Sequence, residues 1–486
     1  MNVALPSGGT LAWGAHARWA AAGALLVILG VGCGAVTVLG APWLGFALLA
    51  GGAFVTAVIR RPWMGAAGAA VLLYLLPFAT VPVPLGGFRL SFLDIALTVT
   101  LAAWLSRSLA PGGRGIRFTQ AGPGIAALVG VMVTALLFSQ QAVSAEIFRF
   151  FLKAINSMLL FFTVVNLLRS PAEVTRFARV VFLAAAASAL VAIGLYLLPE
   201  ARASEVLAAL SRLGYPRGER LLRFIADTDT LRAIGTAVDP NVLGGMLAIA
   251  LPALVAQVVT PQPVMDRRLL VGMTLLVAAA LALTYSRGAW FGAMVGVGYL
   301  AGVRHRRLWV LAAVLGVLVV VSPPGQQLLD RFMSGVTFAD RAAQMRLGEY
   351  KDALRLIGAY PVFGVGFGAA PSLDLYVGSS SIYLLVASQM GLVGLGAFVT
   401  SMFLVLRTAW MAQRRLADPR MSGLLVGLTA GLLGALAAGL FDHYFFNLQF
   451  PHAIALLWLF AGLLVAVALT ATSAGSHQGP SPEPQR

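Results

Sequence analysis

Runs of about 20 apolar residues, the length that crosses a hydrocarbon core of about 30 Å, recur along almost the whole chain. They lie at 19–39, 41–59, 63–82, 91–109, 121–138, 148–167, 177–198, 238–259, 268–284, 288–303, 307–323, 380–406, 421–440 and 451–471. The pattern predicts an all-α polytopic membrane protein with about 14 transmembrane helices, in a range of 12–14. One stretch breaks it. RAAQMRLGEYKDALRLIGAYP sets Ala343, Leu347, Tyr350, Leu354 and Ile357 at three- and four-residue steps on one helical face. Arg341, Glu349, Asp352 and Arg355 fall opposite, with Arg346 on the border. Such a helix lies along a membrane surface or under a protein lid. Pro361 ends it, PVFGVGFGAAP makes a glycine-permissive turn, and SSSIYLLVASQMGLVGLGAFV returns to the bilayer.

The loops set orientation. With the N-terminus in the cytoplasm, every short loop on that side is basic: Arg60 and Arg61; Arg107, Arg114 and Arg117; Arg169, Arg176 and Arg179; Arg267 and Arg268; Arg304, Arg306 and Arg307; Arg407, Arg414, Arg415 and Arg420. Residues 1–18 are then a cytoplasmic N-terminus, and 19–198 an N-terminal bundle of about seven helices. Residues 199–237 form a basic extracytoplasmic loop, 238–323 the central helices, and 324–379 a large extracytoplasmic loop containing the amphipathic helix. Residues 380–471 are the C-terminal helices and 472–486 a disordered cytoplasmic tail. His16 and Arg18 before the first apolar run, and GVGC at 30–33, have features of a signal peptide, but the run reads as an uncleaved span.

Composition refines this picture. The chain is 59% hydrophobic and carries a formal charge of +16, nearly all from arginine. Positive-inside loops account for much of that charge, so nucleic acid is not the implied partner. Both long outer loops are cation-rich: Arg202, Arg212, Arg217, Arg220, Arg223 and Arg232 in one, Arg331, Arg341, Arg346, Lys351 and Arg355 in the other. An anionic partner on that face, or anionic membrane lipid, answers to this distribution. The single Cys33 excludes an internal disulfide. Absent too are a Walker-type loop, a metal-ligand cluster and a dinucleotide fingerprint, so neither metal nor cofactor is expected.

Four short constellations carry the chemistry. LRAIGTAVDPN places Arg232 before a helix-start signature at Asp239-Pro240-Asn241. TYSRGAW pins Arg287 in a very short turn at the membrane edge, where a guanidinium is costly unless paired. Arg346, Glu349 and Tyr350 share the amphipathic helix, with Glu349 either a base or the intrahelical partner of Arg346. FDHYFFN brings Asp442 and His443 after the thirteenth run, within what also reads as an aromatic belt.

In their order, RAIGTAVDPN, TYSRGAW, RLGEYKDALRLIGAYPVFGVGFG, SSIYLLVASQMGLVGL and GLFDHYFF resemble the O-antigen ligase and polysaccharide polymerase family of bacterial envelope glycosyltransferases. The resemblance implies a GT-C-like fold in the bacterial cytoplasmic (inner) membrane, with both termini cytoplasmic. It implies metal-independent transfer from an undecaprenyl-pyrophosphate-linked glycan to a glycan or glycolipid acceptor on the outer face. By position, Arg287 and Arg346 correspond to family arginines that hold the donor pyrophosphate, and Arg232 to another recurrent arginine; Arg341 and Tyr350 belong to the same substrate-binding set. One departure stands out. Where ligases carry His-Asn before the Tyr-Leu that opens the following span, this chain has Ser380 and Ser381. A serine of ordinary acidity is no general base. That role passes to Glu349, Asp374 or His443, with Ser380 kept in the catalytic set, or the chain belongs to a polymerase-like branch. The alternative of another class is a flippase or exporter of lipid-linked oligosaccharides. That function calls for charges inside the spans, and here Arg149 and Lys153 are the clear cases.

Overall fold

The computed structural model describes residues 42–81, 90–215, 221–225, 228–321, 341–368 and 379–475, with a few single positions between 325 and 337. Run 19–39, the leader-like features around Cys33, Asp374 and the last eleven residues, 476–486, lie outside the described residues. The chain divides into two compact units, 1–65 and 66–486. The first contributes α1 (Pro42–Arg60) and the start of α2 (Pro62–Leu75).

The second unit is a helical bundle. It runs through α3 (Phe92–Leu109), α4 (Gly122–Leu137), α5 (Ala145–Leu167), α6 (Pro171–Leu197), α7 (Glu200–Ala209), a hairpin of β1 (Arg223–Phe224) and β2 (Leu231–Arg232), and α8 (Pro240–Val259). It continues with α9 (Arg267–Leu283), α10 (Arg287–Val303), α11 (Arg307–Val321), α12 (Arg341–Ala359), α13 (Ile382–Gln413), α14 (Pro419–Ala438) and α15 (Pro451–Gly475). Among the described residues, seven helices are long and apolar enough to span a membrane: α3, α5, α6, α8, α13, α14 and α15. The chain is an all-α membrane protein.

Local chemistry sets where these helices begin. Ser91 and Asp94 form a capping box at α3, as do Ser170 and Glu173 at α6. Asp239 and Asp418 cap α8 and α14 ahead of a first-turn proline. Three boundaries differ from the apolar-run expectation. Helix α2 stops at Leu75, because Pro77 disfavours helical backbone before it. Helix α6 starts at Pro171, so Arg176 and Arg179 stand on its first three turns and not in a loop. Helix α13 runs on to Gln413 and carries Arg407 with it.

The centre of the bundle is α8, α14 and α15, with α15 buried on almost every side, as befits a helix apolar all round. Helix α14 packs on α8 and α10, and α15 on α5. Small residues bring these axes close. A methyl group at Gly292 would lie 2.5 Å from the Gly434 carbonyl oxygen and 2.8 Å from the Ala438 Cβ. Dispersion between closely approaching backbones is the main attraction open to helices in lipid.

Helix α13 is broken at Gly391, whose φ of 66° is readily available only to glycine. The turn after α12 fills the break. Val365 N–H donates to Ser388 O at 2.9 Å and Gly366 N–H to Gln389 O at 2.9 Å, while Leu392 N–H reaches Pro361 O at 2.8 Å. Backbone groups that the kink would leave bare are thus satisfied by a second strand of chain.

A test of the α10–α14 seam follows. Gly292→Val should destabilise the protein by about 1–3 kcal/mol through overpacking. Gly272→Val, at a helical position with open space around it, should be near neutral. Thermal unfolding in detergent, read by tryptophan fluorescence, compares the two.

Candidate functional site

Four distant stretches of sequence meet at one end of the bundle. Helix α8 starts there at Asp239, α10 starts there at Arg287, and α14 ends there at Ala438, ahead of Asp442 and His443. Helix α13 starts at the same place, with Ile382 N–H donating to Gly439 O at 2.8 Å. Helix α12 lies against α13.

Arg232, at the end of the hairpin, ties the first two motifs together. Its Nε donates to Thr284 O at 2.8 Å and its Nη2 to the Asn241 side-chain oxygen at 2.8 Å. Beside it, Ala233 N–H donates to Leu283 O at 2.8 Å. Beneath, Leu195, Leu207 and Ile234 form an apolar cluster that seats this segment on the end of α6. Arg232 therefore grips the turn that delivers Arg287.

That turn is strained. Among the described residues, the non-glycines at positive φ are Val238 (60°) and Tyr285 (51°). One precedes the Asp239 cap and the other stands two residues before Arg287. Each such conformation costs about 1–3 kcal/mol and persists where surrounding contacts impose it. Here Trp290 Nε1 donates to Leu281 O at 2.9 Å across the turn, with the Tyr285 ring 6.2 Å away. Arg287, half-buried, opens α10, and its neighbour Gly288 abuts Phe441, so the second motif touches the fourth.

The third motif joins from above. Arg346 Nη2 stands 3.7 Å from Asp442 Oδ2, both largely shielded from solvent. Ser380 Oγ donates to Glu349 Oε2 in a short hydrogen bond. Tyr350 donates its hydroxyl proton to Leu440 O at 3.1 Å. Glu349 is thus the partner of Ser380, and not the intrahelical partner of Arg346, because Asp442 and Ser380 lie across the interface where each can be reached.

Arg346, Glu349, Tyr350 and the buried Ala353 turn inward, while Leu347 and Leu354 are left uncovered by protein at 40% and 60%. Arg341 marks the first residue of α12, and Asp374 lies outside the described residues.

Electrostatics centre on Asp442. Burial pushes its carboxyl above the ordinary range, opposed by Arg346 and His443 and reinforced by Asp239. The Asp239 carboxylate is therefore within Coulombic reach, which connects the first motif to the fourth directly. His443 Nδ1 lies 3.6 Å from Asp442 Oδ1, whose oxygen also accepts the His443 N–H at 2.9 Å. Tyr444 beside it is fully buried, its ring against Gly245 of α8. Sequence reading placed Asp442 next to an aromatic belt and did not foresee it as the carboxylate that receives Arg346. The available signal was an aspartate following an apolar run at the membrane edge.

The arrangement assembles guanidinium groups, a buried carboxylate, and a hydroxyl–carboxylate pair at one end of an apolar bundle. Fixed guanidiniums recognise phosphate oxygens, and a carboxylate with a bound hydroxyl can accept a proton. Among curated proteins, none matches this chain in sequence. Residues 272–399, which carry Arg287, Arg346, Glu349, Tyr350 and Ser380 from α9 into α13, match the family described as O-Antigen ligase.

Proposed function

We propose that this protein is a membrane glycosyltransferase that moves or polymerises glycan from an undecaprenyl-pyrophosphate carrier onto a glycan or glycolipid acceptor. The observation that carries the reading is the pairing of Arg346 with Asp442, next to Phe441, on which the Arg287 turn packs through Gly288, within and beside the segment that matches O-Antigen ligase. The basic short loops and the grouping of the site residues at one end support a site on the outer face of the cytoplasmic membrane, with both termini inside. Ser380, standing where ligases carry histidine, supports a polymerase-like branch as readily as a ligase.

In this reading Arg287 and Arg346 hold the diphosphate. The acceptor hydroxyl attacks the anomeric carbon, a glycosidic C–O bond forms, and the bond from that carbon to the diphosphate oxygen breaks. The electron pair leaves on the diphosphate, where preorganised guanidiniums stabilise it. The acceptor's proton passes to Glu349, which Ser380 orients. Asp442 fixes Arg346, and Arg232 holds the turn bearing Arg287.

Transfer from an undecaprenyl-pyrophosphate oligosaccharide by purified protein tests these roles. Arg287→Ala and Arg346→Ala should each slow transfer by about 10²–10³, and Glu349→Gln by about 10²–10⁴. Ser380→Ala should cost far less than any of these. Near-normal rates in both arginine variants would remove the diphosphate clamp. Product analysis that separates lengthened lipid-linked glycan from capped acceptor decides between polymerase and ligase.

Asp442 supplies a pH test of the same site. Its raised folded-state pKa means that the native state binds this proton more tightly than the unfolded chain does. The resulting stabilisation is complete below the unfolded value of about 3.9 and is lost as pH rises through the folded value. Asp442→Asn should flatten thermal stability against pH in that window. An unchanged slope would show that Asp442 is not the buried titrating group.

A further inference from the structure

The opposite end of the bundle, where α6 and α14 begin, holds a second feature. A cavity of about 340 Å³ opens between their first turns, lined by Thr175, Arg176, Arg179, Asp418 and Arg420. Helix α14 separates it from Asp442 by its 20 residues, or about 30 Å at 1.5 Å per residue.

Its chemistry is that of an anion site. Three guanidiniums face one carboxylate, and that carboxylate is already engaged, since Asp418 Oδ1 accepts the Arg420 N–H at 2.9 Å. Arg179 is anchored through Nε on Val264 O, which fixes its fork at the cavity wall. Arg304, which follows the last residue of α10, is held by Ser422 Oγ. Arg420 differs from both: its Nε is buried without a hydrogen-bond partner. A buried donor left without an acceptor is costly, the more so when charged. Two helix N-termini add partial positive charge to the same opening. A tetrahedral oxyanion in the opening offers acceptors to the forks of these arginines.

We propose that this cavity binds a phosphate ester, and is a second anion site independent of the Arg346–Asp442 site. Basic pockets between helix ends are where anionic headgroups seat on membrane proteins. The same chemistry also accepts a soluble phosphate, so the source is decided by experiment.

Binding to the full-length protein in detergent, measured by native mass spectrometry, uses three probes: phosphatidylglycerol, glycerol phosphate and phosphatidylcholine. Wild type should bind phosphatidylglycerol in preference to phosphatidylcholine. Arg176→Gln combined with Arg420→Gln should weaken that binding at least tenfold, as expected on losing charge-assisted hydrogen bonds. Arg346→Ala, at the other end, should leave it unchanged. Binding of phosphatidylglycerol without glycerol phosphate identifies a membrane lipid as the ligand; binding of both identifies the phosphate itself. Should the double variant not fold, Arg420→Lys, which keeps charge but removes the guanidinium fork, should still weaken binding severalfold. Equal affinity in wild type and a folded variant, equal affinity for phosphatidylcholine, or no binding of any probe overturns the proposal.

Discussion

The site depends on a backbone constraint. In an apolar bundle a helix cannot be interrupted unless the N–H and C=O groups it frees find new partners. Helix α13 is interrupted at Gly391, and the turn after α12 supplies them through Val365, Gly366 and Pro361. That docking makes residues 364–367 part of the core. Arg346, Glu349 and Tyr350 stand about three to four turns earlier on α12, so their reach to Asp442, Ser380 and Leu440 follows from where the turn is fastened.

Asp442 shows why such fastening is needed. A carboxylate this deeply buried is unfavourable by itself, and its pairing with Arg346 offsets the desolvation only in part. What the pair supplies is direction: a guanidinium held by one carboxylate cannot swing to another. The same logic governs Arg232, whose two hydrogen bonds hold together the start of α8 and the end of α9. Positive φ at Val238 and Tyr285 is tolerated because those contacts determine the turn more strongly than local preference does.

Much of the helical layout was legible in the sequence, because apolar run length and cap chemistry are local properties. Asp239 announces the start of α8 without reference to anything distant, whereas the apolar run beginning at 177 passed over the cap at Ser170. What was not legible is pairing across elements. Spacing on α12 groups its apolar residues but says nothing of the partners of Glu349 and Arg346, which are Ser380 and Asp442, 31 and 96 residues away. Glu349 and Arg346 are three apart, which made them look like partners. Only the fold shows that each has a better one. The role of Asp442 was hidden for the same reason: its neighbours in sequence are aromatic, and its neighbour in space is a guanidinium.

The break in α13 carries an evolutionary consequence. Gly391 and Gly364 both have positive φ, and a side chain at either would strike the other's strand, at Val362 O within 2.0 Å and at Gln389 C within 2.4 Å. Neither can mutate by itself without unseating the other strand. Their histories are therefore joined: in descendants of this sequence the two glycines should be kept as a pair, or be lost together along with the kink.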